Sequence, residues 1–144
     1  MKRAGLVALA TLVAALSGCQ RDDPATDPAA PPSAATIAKG EYLARIGNCG
    51  ACHTARGGEA FAGGRGIATP FGIVHAPNIT PDATTGLGHW TRADFRRALR
   101  DGRSKDGHLL YPAFPFANTT RMAVDDIDAL FDYLRSVPPV NRPN

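Results

Sequence analysis

Cys49-Gly50-Ala51-Cys52-His53 places two thiols three positions apart with an imidazole directly after them. That spacing is the attachment signature of a c-type haem. Each thiol adds to one vinyl group of the porphyrin, so the two sulfurs must straddle one edge of the ring. The adjacent histidine then lies under the iron as its proximal nitrogen ligand. Two other chemistries use paired thiols. Structural zinc needs a second ligand pair at its own short spacing, whereas His75, His89 and His108 stand singly and the remaining cysteine is Cys19. A dithiol redox pair belongs in a strand–helix–strand setting, which the residues around Cys49 do not provide.

A haem iron held by His53 has a sixth position to fill. Met122 is the one methionine besides the initiator, 69 residues after His53. A soft thioether favours reduced iron and raises the potential, as an electron carrier requires. The same side chain can also serve as a core gap-filler. Tyr111, Phe114 and Phe116 precede it in a proline-bounded loop that would shield an iron ligand from water. His108, in the same region, is the next candidate, ahead of His75 and His89.

The elements that must position these groups are helical. An apolar face at Ile37, Leu43 and Ile46 predicts a first helix over residues 36–47. Gly40 inside it costs about 1 kcal/mol of helix propensity relative to alanine. Either a close backbone approach requires it or the helix starts later. A second helix is expected over 91–101, with Thr91 and Asp94 as a relaxed capping box, Phe95, Ala98 and Leu99 as its apolar stripe and Gly102 as its C-cap. Its other faces carry Arg92, Arg96, Arg97 and Arg100, with Arg103 and Lys105 beyond. These form either a solvated face or a basic rim for an acidic partner or a haem propionate. A third helix is expected over 124–136, with Ile127, Leu130, Phe131 and Leu134 at i, i+3, i+4, i+7. Asp125, Asp126 and Arg135 suit its dipole, and Pro138 and Pro139 stop it. More than 35 residues rich in Gly, Pro and Thr separate the first two helices, without strand alternation. A loop that long fits a compact domain when it wraps a cofactor.

The N-terminus reads differently. Lys2 and Arg3 precede an uncharged, mostly apolar run of 13 residues, Ala4 to Leu16, too short to span a bilayer comfortably. Together with Leu16-Ser17-Gly18-Cys19 this is an export-signal pattern over residues 1–18. The small residues before Cys19 resemble a bacterial lipobox, which implies cleavage before Cys19 and its lipidation; a plain signal cut near Gly18 would leave a free thiol. Gln20, where Asp would favour the inner membrane, points to the outer membrane. Residues 19–35 then form a Pro/Ala-rich tether with no aliphatic side chain larger than alanine from Gln20 to Ala35. Those 16 residues reach roughly 50 Å when extended. The rest, 36–144, is one domain of 109 residues. The formal charge of +3 falls to +1 without Lys2 and Arg3, so the basic balance does not point to nucleic acid.

Taken together, the domain resembles class I c-type cytochromes. More narrowly, it is similar to the haem modules in cytochrome subunits of bacterial membrane-associated dehydrogenases acting on alcohols, aldehydes, gluconate and N-heterocycles. The resemblance covers about residues 39–139. Beyond the haem motif it rests on Thr69-Pro70-Phe71-Gly72, Ala76-Pro77-Asn78-Ile79-Thr80-Pro81-Asp82, Thr85-Gly86-Leu87-Gly88-His89-Trp90, Asp106-Gly107-His108-Leu109-Leu110-Tyr111-Pro112-Ala113-Phe114-Pro115 and Arg121-Met122. It implies a mostly α, class I cytochrome c fold: three main helices, with long loops wrapping one covalent haem c. It also implies Met122 as sixth ligand, Gly40 packed against an aromatic (Tyr133), Trp90 donating to a propionate, and the Pro70 carbonyl accepting from the outer nitrogen of His53. Where many relatives place threonine after the methionine as helix cap, this chain has Ala123. Such relatives often carry two or three haem motifs, and this sequence has one. The expected role is electron transfer from a periplasmic dehydrogenase to a cytochrome or oxidase, lipid-anchored on the periplasmic side. A peroxidase-like haem enzyme or a gas or redox sensor would instead need a labile sixth ligand.

Overall fold

The computed structural model describes residues 31–143. The export signal, Cys19 and most of the tether lie outside the described residues. The elements are α1 (Ala34–Ile46), α2 (Cys49–His53), β1 (Gly66–Thr69), β2 (Gly72–His75), α3 (Arg92–Asp101), α4 (Phe116–Thr119) and α5 (Val124–Ser136). The architecture is the mostly helical one expected, with three principal helices and long connections.

α1 starts two residues before the predicted Thr36. The Ser33 hydroxyl accepts from the Thr36 backbone N–H at 3.1 Å and caps the first turn. α1 and α5 cross at Gly40. A Cβ there would lie 2.0 Å from the Ala129 carbonyl oxygen and 2.6 Å from Tyr133 Cβ. The backbone approach is therefore close enough that only glycine fits. A Lys39–Asp126 ion pair at 2.6 Å flanks the crossing.

α3 is closed at both ends by its own sequence. Thr91 and Asp94 form the reciprocal capping box, and Gly102 ends the helix in the left-handed region at φ 61°. Its buried stripe, Phe95, Ala98 and Leu99, meets Ile127, Leu130, Phe131 and Leu134 of α5, with Ala44 and Leu87 completing the core. The Phe95 and Phe131 rings pack at 5.1 Å between centroids. α5 has the predicted bounds, and Ala123 gives it no side-chain cap.

The arginines of α3 form neither a solvated face nor an open basic rim. Arg92 donates to Asp132 at 2.5 Å, Arg96 pairs with Asp128, Arg97 with Asp94 at 2.6 Å, and Arg100 donates to the Met122 carbonyl at 3.0 Å. Asp132 is itself buried, so the Arg92 pair removes the penalty of an isolated buried carboxylate. Arg97 joins its own helix to the segment just beyond it, donating also to the Lys105 carbonyl at 3.3 Å. The other three fasten α3 to α5 and to the chain entering it.

The connection between α2 and α3 contains a two-stranded antiparallel hairpin, contrary to the strandless reading. Gly66 pairs with His75 and Thr69 with Gly72. Four-residue strands bounded by glycine are too short to display alternation. Their turn is held by Thr69, whose hydroxyl donates to the Gly72 carbonyl at 2.7 Å and accepts from the Phe71 N–H. Beyond the hairpin, Asp82 organises its own turn by accepting from Thr84 N–H, Thr85 N–H and the Thr85 hydroxyl.

Gly40→Ala is expected to lower stability by about 3 kcal/mol, the upper end for overpacking, and the thermal midpoint of the haem-loaded protein by roughly 10–20 °C. Lys39→Ala, which removes only an exposed ion pair, should stay within about 1 kcal/mol of the parent. Thermal unfolding of the two variants beside the parent provides the measurement.

Candidate functional site

Cys49, Cys52 and His53 all lie on α2, one short turn whose entry residue Asn48 takes the left-handed conformation at φ 53°. Both cysteines are free thiols, Cys49 half-buried and Cys52 exposed. Burial pushes the Cys49 thiol above its ordinary pKa, reinforced by the neighbouring Cys52 and partly opposed by a backbone hydrogen bond. A dithiol redox centre works through a depressed thiol pKa, and the shift at Cys49 runs the other way. Zinc is equally poorly served: among the described residues no three His, Cys, Asp or Glu side chains converge as a metal site.

His53 is half-buried. Its Nδ1 lies 2.8 Å from the Pro77 carbonyl oxygen, so Nδ1–H donates there and Nε2 keeps its lone pair for a metal. Burial lowers the His53 pKa, with the Pro77 carbonyl opposing it. Burial thus favours the neutral ring, the form that ligates.

The expected acceptor, Pro70, is an exposed residue in the turn between β1 and β2. The carbonyl comes instead from Pro77, seven residues on. A local braid brings it there. Gly63 N–H donates to the His53 carbonyl at 2.8 Å, Gly64 N–H to the Ala76 carbonyl at 2.8 Å, and Ala76 N–H to the Arg65 carbonyl at 3.0 Å. Gly63 has φ 74°, and a Cβ there would sit 2.5 Å from the Pro77 carbonyl carbon. Residue 63 must therefore be glycine on both steric and conformational grounds.

Asn78 anchors the same strip. It is 3 % exposed. Its amide donates to the Thr85 hydroxyl at 2.8 Å and to the Val140 carbonyl at 2.7 Å. Its carbonyl accepts from Thr80 N–H at 2.9 Å and from the Thr80 hydroxyl at 2.8 Å. One side chain thus ties residues 78–85 to the C-terminal segment, directly beside the carbonyl that orients His53. Sequence reasoning missed this role. Asn-Ile-Thr-Pro-Asp was visible as a motif, but the Val140 carbonyl lies 62 positions away.

Met122 packs against the core from the other end of the chain. It is half-buried against the core, as are Cys49, Phe61, Ile79, Leu110, Phe114 and Trp90. These partly covered apolar groups come from several separate loops and rest on one cluster, which is the setting a large flat apolar cofactor needs. Two free thiols and an imidazole with an available Nε2 on one short turn are the groups that covalent haem attachment and iron ligation call for.

Trp90 packs on the core and also lines a surface cleft with Phe131 and Arg135. The Tyr111 hydroxyl donates to the Thr69 hydroxyl at 3.3 Å, joining the loop before α4 to the hairpin turn. His75 and His89 are exposed. His108 is exposed too, with its Nδ1 2.5 Å from Asp106.

Known proteins agree with this chemistry. The family described as Cytochrome c matches residues 37–138. The cytochrome c subunit of gluconate 2-dehydrogenase from Pantoea cypripedii is 44% identical over 124 residues, covering 85% of this chain and 26% of that protein. The cytochrome c subunit of a quinone alcohol dehydrogenase from Gluconacetobacter polyoxogenes is 47% identical over 111 residues, covering 76% and 24%. The cytochrome subunit of fructose dehydrogenase from Gluconobacter japonicus is 41% identical over 111 residues, covering 76% and 23%. The chain thus spans about a quarter of the length of these relatives.

Asn78→Ala is expected to lower stability by about 2–3 kcal/mol, because Thr80, Thr85 and the Val140 carbonyl lose buried partners. Denaturant unfolding of the haem-loaded protein measures it. Asn141→Ala, which removes one exposed hydrogen bond, is the matched control, expected within about 0.5 kcal/mol of the parent.

Proposed function

The chain belongs to the cytochrome c family, and from that premise we propose that it carries one haem c as an electron-transfer module serving a dehydrogenase. Cys49 and Cys52 are the two thioether attachment points, His53 is the proximal ligand and Met122 the sixth. The bound haem supplies a one-electron ferric/ferrous couple. The observation that best supports the reading is the His53 ring: its Nδ1 is committed to the Pro77 carbonyl, on the same short turn as two free thiols.

Each protein group has a defined task. The Pro77 carbonyl fixes the imidazole plane and raises its basicity as a ligand. The Met122 thioether favours the reduced state and raises the potential. The half-buried apolar side chains around Cys49 and Met122 exclude water, which limits reorganisation and keeps small molecules from the iron. His53 and Met122 together would hold the iron from the protein, so the module would carry electrons without offering a substrate site. In this reading Trp90 hydrogen-bonds a propionate, and Tyr111 braces the loop that covers the methionine side.

The donor is a dehydrogenase catalytic subunit of the kind that the relatives' names describe, and the acceptor is a respiratory cytochrome or oxidase. Export through residues 1–18 and lipidation of Cys19 would hold the domain on the periplasmic side of a membrane, with Gln20 favouring the outer one. Residues 19–35 would give the domain, from residue 36, lateral reach between donor and acceptor. No helix among the described residues is long and apolar enough to cross a membrane.

The test of the ligand set is spectroscopic. The oxidised protein, with haem that survives a denaturing gel, should show the weak near-infrared sulfur-to-iron band. Met122→Ala should lose that band, bind carbon monoxide readily when reduced, and drop in reduction potential. A band unchanged in Met122→Ala, or ready carbon monoxide binding by the parent, would sink the six-coordinate carrier. For localisation, Cys19→Ala should move the haem-containing protein from the membrane fraction to the soluble periplasmic fraction; persistence with membranes would remove the lipid anchor.

A further inference from the structure

The last turn of α3 holds the loop that carries Met122 at three points. The Leu99 carbonyl accepts from the Thr119 hydroxyl at 2.5 Å. Arg100 donates from Nη2 to the Met122 carbonyl at 3.0 Å. The Gly102 carbonyl accepts from the Leu110 N–H at 2.7 Å. Thr119 continues the chain of contacts, since its own carbonyl accepts the Met122 N–H at 3.0 Å. Both backbone polar groups of Met122 are therefore held, the N–H through Thr119 and the carbonyl by Arg100.

Ala123, at the entry to α5, adds no side-chain cap to this grip. Arg100 is also unlike its neighbours on α3. Arg92, Arg96 and Arg97 each meet a carboxylate, whereas Arg100 has the Met122 carbonyl as its hydrogen-bond acceptor; its Nε, like that of Arg97, is buried without a partner. A half-buried guanidinium with one neutral acceptor is poorly compensated for its own desolvation. Its placement is explained by what it holds.

We propose that Arg100 and Thr119 are positioning residues for the sixth ligand: they pin the Met122 backbone to the end of α3 and so set how often the thioether leaves the iron. This rests on Met122 being that ligand. A methionine on an unbraced loop spends its rotational freedom away from the metal. Two directed hydrogen bonds, one from a cation, confine the loop to the ligating arrangement.

The rate at which added imidazole displaces the sulfur from the oxidised, haem-loaded full chain reports this opening directly. Arg100→Gln should accelerate displacement by about tenfold or more, the effect of losing one charge-assisted hydrogen bond. Thr119→Val, which keeps shape and loses the hydroxyl, should accelerate it by roughly fivefold. Both should retain covalent haem and the near-infrared band before imidazole is added, since the ligand is loosened and not removed. Arg121→Gln, beside Met122 but exposed, should stay within about twofold of the parent. Parent-like rates in both Arg100→Gln and Thr119→Val, with the band present, overturn this inference and leave the Met122 assignment standing. A parent protein without the band, or a band that persists in Met122→Ala, overturns the assignment and this inference with it.

Discussion

The approach of two backbones at Gly40 governs the rest of the molecule. α1 and α5 come together so closely that the Ala129 carbonyl occupies the space of a side chain at position 40. The groups with chemistry are attached near the ends of these two helices. α1 ends at Ile46 and leads within three residues to Cys49, while Met122 stands two residues before α5 begins at Val124. A thiol and a thioether 73 positions apart in sequence are thereby brought against a single core. Any change in the crossing would shift both ends of the site at once.

The second constraint is polar. The connection from α2 to α3 has little apolar content with which to fold itself, yet it must place one carbonyl within hydrogen-bond reach of His53. It does so through side chains that substitute for regular secondary structure. Asp82 closes a turn, Asn78 bridges to the C-terminal segment, and the hairpin feeds directly into Ala76 and Pro77. Buried polar hubs of this kind are rigid because each unmade hydrogen bond would leave a desolvated group behind. That rigidity is what a proximal ligand needs, since its ring plane must not wander.

The charges of α3 show how composition can mislead. An arginine-rich helix invites a reading as a docking surface or as a solvated face. In the folded chain Arg92, Arg96, Arg97 and Arg100 are committed internally, three to carboxylates and one to the carbonyl of Met122. Two of the carboxylates, Asp128 and Asp132, belong to the opposing helix. The basic stripe is a seam between elements.

Much of the site was legible in the chain itself. The Cys49–His53 spacing specifies its chemistry because porphyrin geometry demands it. Thr91–Asp94, Gly102 and the apolar periods of α3 and α5 determine those helices because caps and periodicity act over a few residues. Helix propensity also exposed the anomaly at Gly40, and the family resemblance the missing cap at Ala123. The features that failed to appear are those whose partners are remote. Pro77 rather than Pro70 faces His53 because two segments braid around Gly63; four-residue strands are stable only as a pair; Asn78 needs Val140, and Met122 needs Arg100. Apart from the hairpin, whose strands are neighbours in sequence but too short to show a period, each of these is a contact between distant segments, decided when the three helices packed and the intervening loops had to bury their polar groups against whatever the tertiary structure brought near.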